Sequence, residues 1–146
     1  MKMKKLICVM TLVCIGILLV SCGSNRPGDP KAQLMRDFGL HIEKKDCVLE
    51  ELFNNYEGVP YEGIALYKLT VGEDVSQAFL QWERFPFSEE AENFLESLSA
   101  YVELPLIADG YWKMVDRNPG TSAYTNVSLC VYDEATGAAY LLTMDI

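Results

Sequence analysis

Histidine is almost absent from this sequence: His41 is the only one, and the chain has five cysteines. A structural zinc site takes about four His or Cys ligands, so a metal centre of that class is excluded. The loop that binds calcium through regularly spaced Asp residues is also missing, and Asp109, Asp116 and Asp133 stand singly near predicted strand ends. We therefore predict no metal site and no cofactor.

Basic residues are few, with 12 Lys and Arg against 21 Asp and Glu. Three of the lysines lie in the first 21 residues, so the rest of the chain has nine basic residues and a net charge of about −12. An acidic surface repels polyanions. Nucleic acid is excluded as a partner, and contact of the protein surface with anionic lipid headgroups is disfavoured.

The longest apolar run, Leu6 to Val20, is fifteen residues long, whereas a membrane-spanning helix needs roughly 20. Lysines precede the run and a polar Gly, Ser, Asn and Pro stretch follows it, which is typical of a secretory signal and a flexible tether. We predict a signal peptide over residues 1–21, a tether over 22–30 and a single domain over 31–146.

The end of the leader, Leu19, Val20, Ser21 and Cys22, resembles the lipobox of bacterial lipoproteins. This resemblance implies that Cys22 becomes the lipidated first residue of the mature protein. A diacylglyceryl group supplies the two chains that stable anchoring needs. The expected location is the extracytoplasmic face of the cell membrane, with the membrane contacted through the lipid on Cys22.

Two cysteines, Cys47 and Cys130, remain once the leader and the lipidated residue are set aside. An extracytoplasmic location permits them to form a disulfide, which would stabilise the fold by about 4 kcal/mol in the chain-entropy model. They are equally consistent with two separately buried thiols that act as small apolar residues.

Apolar periodicity predicts an α+β fold. Asp29 and Pro30 begin a short helix that Gly39 ends, and two further helices are predicted, one ended by Pro86 and one that begins at Ser88. Strands are predicted within 40–56 and over 64–71, 110–116, 126–132 and 138–145. We expect an antiparallel sheet of about four to five strands with a C-terminal three-stranded meander, packed on two or three helices that cover one face.

Aromatic residues indicate a candidate binding surface. Tyr56 and Tyr61 lie in a loop rich in Gly and Pro, and Trp112 lies on a predicted strand. Exposed Tyr and Trp side chains offer rigid contact area with a polar tip. The alternative is that these side chains cover the end of the sheet.

Three segments together resemble a set of small uncharacterised lipoproteins from Firmicutes. They are the Gly58 to Gly63 loop followed by a strand, the Trp82 to Pro86 segment, and the Gly110 to Arg117 segment. The resemblance implies an α+β domain on a Gram-positive cell surface and implies no catalytic residues.

These observations favour a lipid-anchored, non-catalytic binding or interaction module with a protein or cell-wall partner. A small extracytoplasmic hydrolase is the alternative, and it would need His41 to meet a nucleophile and carboxylates in a cleft. An inhibitor or immunity-type protein is a further alternative.

Overall fold

The computed structural model describes residues 29–43, 45–58, 62–121 and 123–146. The predicted signal peptide, most of the tether, Cys22 and Tyr61 lie outside the described residues. The helices are α1 (Pro30–Phe38), α2 (Glu73–Phe79) and α3 (Glu89–Leu98), and the strands are β1 (Cys47–Asn54), β2 (Gly63–Val71), β3 (Glu83–Arg84), β4 (Gly110–Asp116), β5 (Asn126–Asp133) and β6 (Ala138–Asp145).

The first helix begins and ends as its sequence predicts. The Asp29 side chain accepts a hydrogen bond from the Lys31 amide at 3.1 Å, and Pro30 follows at the first helical position. Gly39 ends the helix in the left-handed conformation, where its amide donates to the Met35 carbonyl at 3.0 Å.

The strands form one antiparallel sheet in the order β1, β2, β6, β5, β4, β3. The α+β class and the C-terminal meander of β4, β5 and β6 are confirmed. The strand number is six within the described residues, because a two-residue strand that sequence periodicity did not predict, β3, pairs Glu83 with Trp112 and Arg84 with Tyr111. This pairing also means that α2 ends at Phe79 and does not continue to Pro86.

The sheet is covered by helices on both faces, which corrects the expectation of a single covered face. On the first face α3 packs Ala91, Phe94 and Leu98 over the sheet. On the second face α1 and α2 pack over the alternate residues of the same strands, with Leu34 and Phe79 fully buried. The inner strands β5 and β6 are therefore buried on both sides.

The helix α3 also ends earlier than its apolar pattern suggests. Ser88 caps it as predicted, its Oγ accepting from the Ala91 amide at 3.2 Å. Tyr101, predicted to belong to the buried stripe, lies beyond the helix end and is 59% exposed. The longest of the three described helices has ten residues, and none is long and apolar enough to cross a membrane.

Candidate functional site

A groove of about 470 Å³ lies on the first face of the sheet, beside α3. Its walls are the segment before the helix, Phe85 to Phe87, one side of the helix at Leu95, and the segment after it, Val102 to Ile107. Small-molecule sites in proteins are concave, mostly apolar and of about 300 to 1,000 Å³. The groove meets this description in both size and lining.

Aromatic packing holds the wall before the helix in place. The rings of Phe85 and Phe87 lie 4.5 Å apart between centroids, and Phe87 packs edge-on against Trp112 at 5.5 Å. The indole Nε1 of Trp112 donates to the Pro86 carbonyl at 3.3 Å. Trp112 on β4 thus holds this wall against the sheet.

The wall after the helix projects as an apolar ridge formed by Leu104, Pro105 and Leu106. Leu106 is 99% exposed, whereas Leu104 is partly buried against the core. A second depression of about 530 Å³ lies on the other side of the ridge, against Leu52 of β1 and Tyr140 of β6. The ridge therefore separates two adjoining hollows on the same face.

The rims of the two hollows are mainly acidic. Glu92 and Glu103 line the groove beside α3, and no lysine or arginine is among the described residues that line it. Glu50, Glu103 and Lys68 line the second depression. The three carboxylates form no hydrogen bond or ion pair with any described residue, so they are available to a partner.

A buried polar cluster lies on the second face, where α1 meets the ends of β4, β5 and β6. The Asp37 carboxylate, 2% exposed, accepts from Arg117 Nη1 at 2.6 Å, from the Ser128 hydroxyl at 2.6 Å and from Gln33 Nε2 at 3.0 Å. Arg36 adds a hydrogen bond at 2.8 Å from the exposed side. Four side chains thus donate hydrogen bonds to one carboxylate.

The cluster continues from Arg117 to the end of β6. Arg117 Nη2 donates to the Asp145 carboxylate, whose other oxygen accepts from the Tyr56 hydroxyl at 2.8 Å. That hydroxyl also lies 3.1 Å from Thr143 Oγ1. Burial, and then the hydrogen bond to Asp145, raise the pKa of Tyr56.

The chemistry of this cluster favours a structural role. Burial would raise the pKa of Asp37, but hydrogen bonds from Arg36 and Ser128 and the positive charge of Arg117 outweigh that effect and lower it. No described buried polar side-chain atom lacks a hydrogen-bond partner. The Ser128 hydroxyl is held by Asp37 and fully buried, so it is not placed to attack a substrate.

His41 is exposed at the edge of a depression of about 400 Å³. Glu43, Asp46 and Asp74 line the same depression, and Glu43 pairs with Lys45 at 3.2 Å. The described residues that line this depression include no serine, threonine or cysteine that would act as a nucleophile. Among the described residues no group of three or more His, Cys, Asp or Glu is arranged to hold a metal ion.

The structure describes two of the three residues of the predicted aromatic surface, Tyr56 and Trp112, and neither is a freely exposed side chain. Trp112 is 3% exposed and belongs to the core, which removes it from any surface that a partner reaches. Tyr56 is partly buried and its hydroxyl is engaged in the polar cluster. For Tyr56 the structure thus agrees with the alternative interpretation, that the side chain covers the end of the sheet.

Cys47 and Cys130 are free, buried thiols. Cys47 lies on β1 and Cys130 on β5, three strand spacings apart in the sheet order. At about 4.8 Å per spacing their Cα atoms are at least about 14 Å apart, and a disulfide needs less than about 7 Å. The structure therefore has the second of the two predicted arrangements, with separately buried thiols.

Two of the three aspartates that stand near strand ends, Asp116 and Asp133, hold turns. Asp116 accepts from the Asn118 amide at 2.8 Å, and Asp133 accepts from Thr136 Oγ1 at 2.6 Å in the last hairpin. Asp109 pairs with Arg84 at 2.8 Å.

The groove and the ridge were not predicted from the sequence. The signal that indicates them is the segment Leu104, Pro105, Leu106, Ile107, which is apolar but has neither helix nor strand periodicity. An apolar run within a loop needs cover, and the structure leaves Leu106 without it.

Comparison of the chain with family models, with curated proteins and with solved structures gives no match.

Proposed function

We propose that this chain is a lipid-anchored extracytoplasmic protein whose globular part is a non-catalytic binding module, and that an apolar group binds in the groove beside α3. The lipobox at Leu19 to Cys22 supports the anchor. The groove itself carries the proposal for binding: it is the right size for a ligand, its lining is mostly apolar, and Leu106 remains fully exposed beside it.

Methyl NMR of the full chain in nanodiscs of zwitterionic lipid tests the binding site, with indole as a neutral aromatic probe. We expect indole to shift the methyl signals of Leu95, Leu104 and Leu106, and to leave those of Leu34 and Leu69 on the second face unchanged. Absence of shifts at millimolar indole, or equal shifts on both faces, would contradict the proposal.

Two matched variants localise the binding. Ser99→Trp places a large side chain in the groove, and Ser97→Trp places the same side chain against a different depression on the same helix. Each change removes one local hydrogen bond, to Glu96 and to Phe94 respectively. We expect Ser99→Trp to abolish the indole shifts and Ser97→Trp to retain them.

Metabolic labelling with an alkynyl fatty acid tests the anchor separately. We expect the label on the wild type and on Cys14→Ser, and its loss in Cys22→Ser. Label retained in Cys22→Ser, or an unlabelled wild type, would contradict the lipoprotein assignment.

A small hydrolase is the second candidate, favoured by the carboxylates near His41. Because no serine, threonine or cysteine is among the described residues that line this depression, the hydrolase is the weaker proposal. Hydrolysis of a generic ester or peptide that is lost in His41→Ala would support it over the binding module.

A further inference from the structure

We infer that the ridge of Leu104, Pro105 and Leu106, together with the hollow on each side of it, is a docking surface for a basic polypeptide segment with bulky apolar side chains. This inference rests on the proposed binding function and names the class of its partner. Apolar side chains of the segment enter the hollows, and its lysines or arginines meet the acidic rims.

The arrangement of the ridge favours a polypeptide over a compact small molecule. The two hollows share the ridge residues as a common wall, and Leu106 stands between them almost fully exposed. A compact ligand would fill one hollow and cover only the side of Leu106 that faces it. A chain that crosses the ridge buries Leu106 and places one side chain on either side, which is how anchor residues and pockets pair in protein interfaces.

The negative charges on the rims favour a partner with positive charge. Glu92 and Glu103 have no ion-pair partner among the described residues. Lys68, which lies opposite Glu50 in the β1–β2 register, is the one cation among the described residues that line either hollow. The chain as a whole has a formal net charge of −9. Complementary charge accelerates encounter and discriminates against like-charged partners.

The same charges exclude a second copy of this chain as the occupant. A symmetric contact through the ridge would place Glu92 and Glu103 of one copy against an equally acidic surface. Like charges brought together in an interface are repulsive and suppress that pairing. The partner is therefore a different, basic polypeptide.

The experiment measures binding of labelled peptides to the full chain in zwitterionic nanodiscs, after subtraction of binding to empty discs. The probe is a short helical peptide of leucine and lysine. Its two controls have glutamate in place of lysine and alanine in place of leucine. We expect the leucine and lysine peptide to bind at least about tenfold more tightly than either control.

Two pairs of variants assign that preference to the ridge and its rims. Leu106→Asn should weaken binding about tenfold, whereas Leu80→Asn, which changes an exposed leucine away from the ridge, should leave it unchanged. Combined Glu92→Gln and Glu103→Gln should weaken binding by about three- to tenfold and reduce its salt dependence. Combined Glu89→Gln and Glu90→Gln makes the same change in net charge outside both hollows and should have little effect.

Failure of the inference is distinguishable from failure of the proposed function. If indole shifts the groove methyls but the glutamate peptide binds as well as the lysine peptide, or Leu106→Asn binds as wild type, the docking inference is wrong and the groove remains a binding site. Equal loss in the two glutamate pairs would assign the preference to net charge and overturn the docking surface. If neither indole nor peptide binds, both proposals fail.

Discussion

Arg117, at the end of β4, donates to Asp37 of α1 at 2.6 Å across 80 residues of sequence. Arg117 is 20% exposed at its side chain and Asp37 only 2%, so water screens this pair little. The pair joins the first helix to the sheet. The helix begins at Pro30, the last residue of the predicted tether.

Removing Arg117 should destabilise the fold strongly. Arg117→Ala leaves the buried Asp37 carboxylate with fewer donors, and removal of one partner of a buried pair costs about 3 to 5 kcal/mol. Arg36→Ala is the matched control, since Arg36 contacts the same carboxylate from an exposed position and should cost about 1 kcal/mol or less. Urea denaturation measures both values, and equal costs for the two variants would contradict the assignment.

The same carboxylate makes stability depend on pH in the acid range. The pKa of Asp37 is lowered in the folded state, so its contribution is complete above its unfolded pKa of about 3.9. Below that pH the unfolded state takes up the proton first, and the contribution is lost as the pH falls through the folded pKa.

We therefore expect the difference in melting temperature between wild type and Asp37→Asn to be constant above about pH 4 and to shrink below it. Asp109→Asn is a comparison, because the Asp109 carboxylate pairs with Arg84 at an exposed site and its removal should change the melting temperature little. A difference for Asp37→Asn that stays constant into strong acid would contradict the role of this carboxylate.

Two glycines should respond very differently to the same substitution. A Cβ at Gly110 would lie 2.0 Å from the Tyr132 carbonyl oxygen, because β4 and β5 approach closely there. A Cβ at Gly39 would contact nothing within 4 Å, although its φ of 69° is in the left-handed region.

We expect Gly39→Ala to cost about 1 to 2 kcal/mol from the left-handed backbone alone. Gly110→Ala must displace a strand and should cost more than about 3 kcal/mol or prevent folding. Chemical denaturation of the two variants provides the comparison. A Gly110→Ala protein as stable as Gly39→Ala would contradict the close approach of β4 and β5 at this position.

The buried thiols should be unreactive in the folded protein. Burial raises the pKa of both Cys47 and Cys130, so little thiolate is present at neutral pH. We expect dithionitrobenzoate to modify both only as the protein unfolds, and dithiothreitol to leave the melting temperature unchanged. Cys47→Ala and Cys130→Ala identify which thiol reacts. A lower melting temperature after reduction would indicate a disulfide and would contradict the two separately buried thiols.

The order of the helices and strands was readable from the sequence because it depends on neighbouring residues. Asp29, Pro30 and Gly39 mark the ends of α1, and Ser88 marks the start of α3, since caps act within one turn. Alternation and turn residues predicted the last three strands and their meander for the same local reason.

The features that bear on function depend on contacts between distant parts of the chain. β3 is only two residues long and forms because β4 lies beside it. Cys47 and Cys130 lie on β1 and β5, and β2 and β6 lie between those strands, so no bridge forms. The sequence around Trp112 is consistent with either an exposed or a buried side chain. Its burial depends on the distant segment that brings Phe87 and the Pro86 carbonyl into contact with it.

The sequence by itself thus determined the α+β class, the order of the elements other than β3 and the acidic charge, and it contains the Leu19 to Cys22 segment on which the anchor proposal depends. Only the tertiary structure decided that helices cover both faces, that Arg117 meets Asp37, and that Leu106 stands exposed between two hollows. The physical reason is range: caps and periodicity act over a few residues, whereas burial and ion pairing depend on which distant segments the sheet brings together.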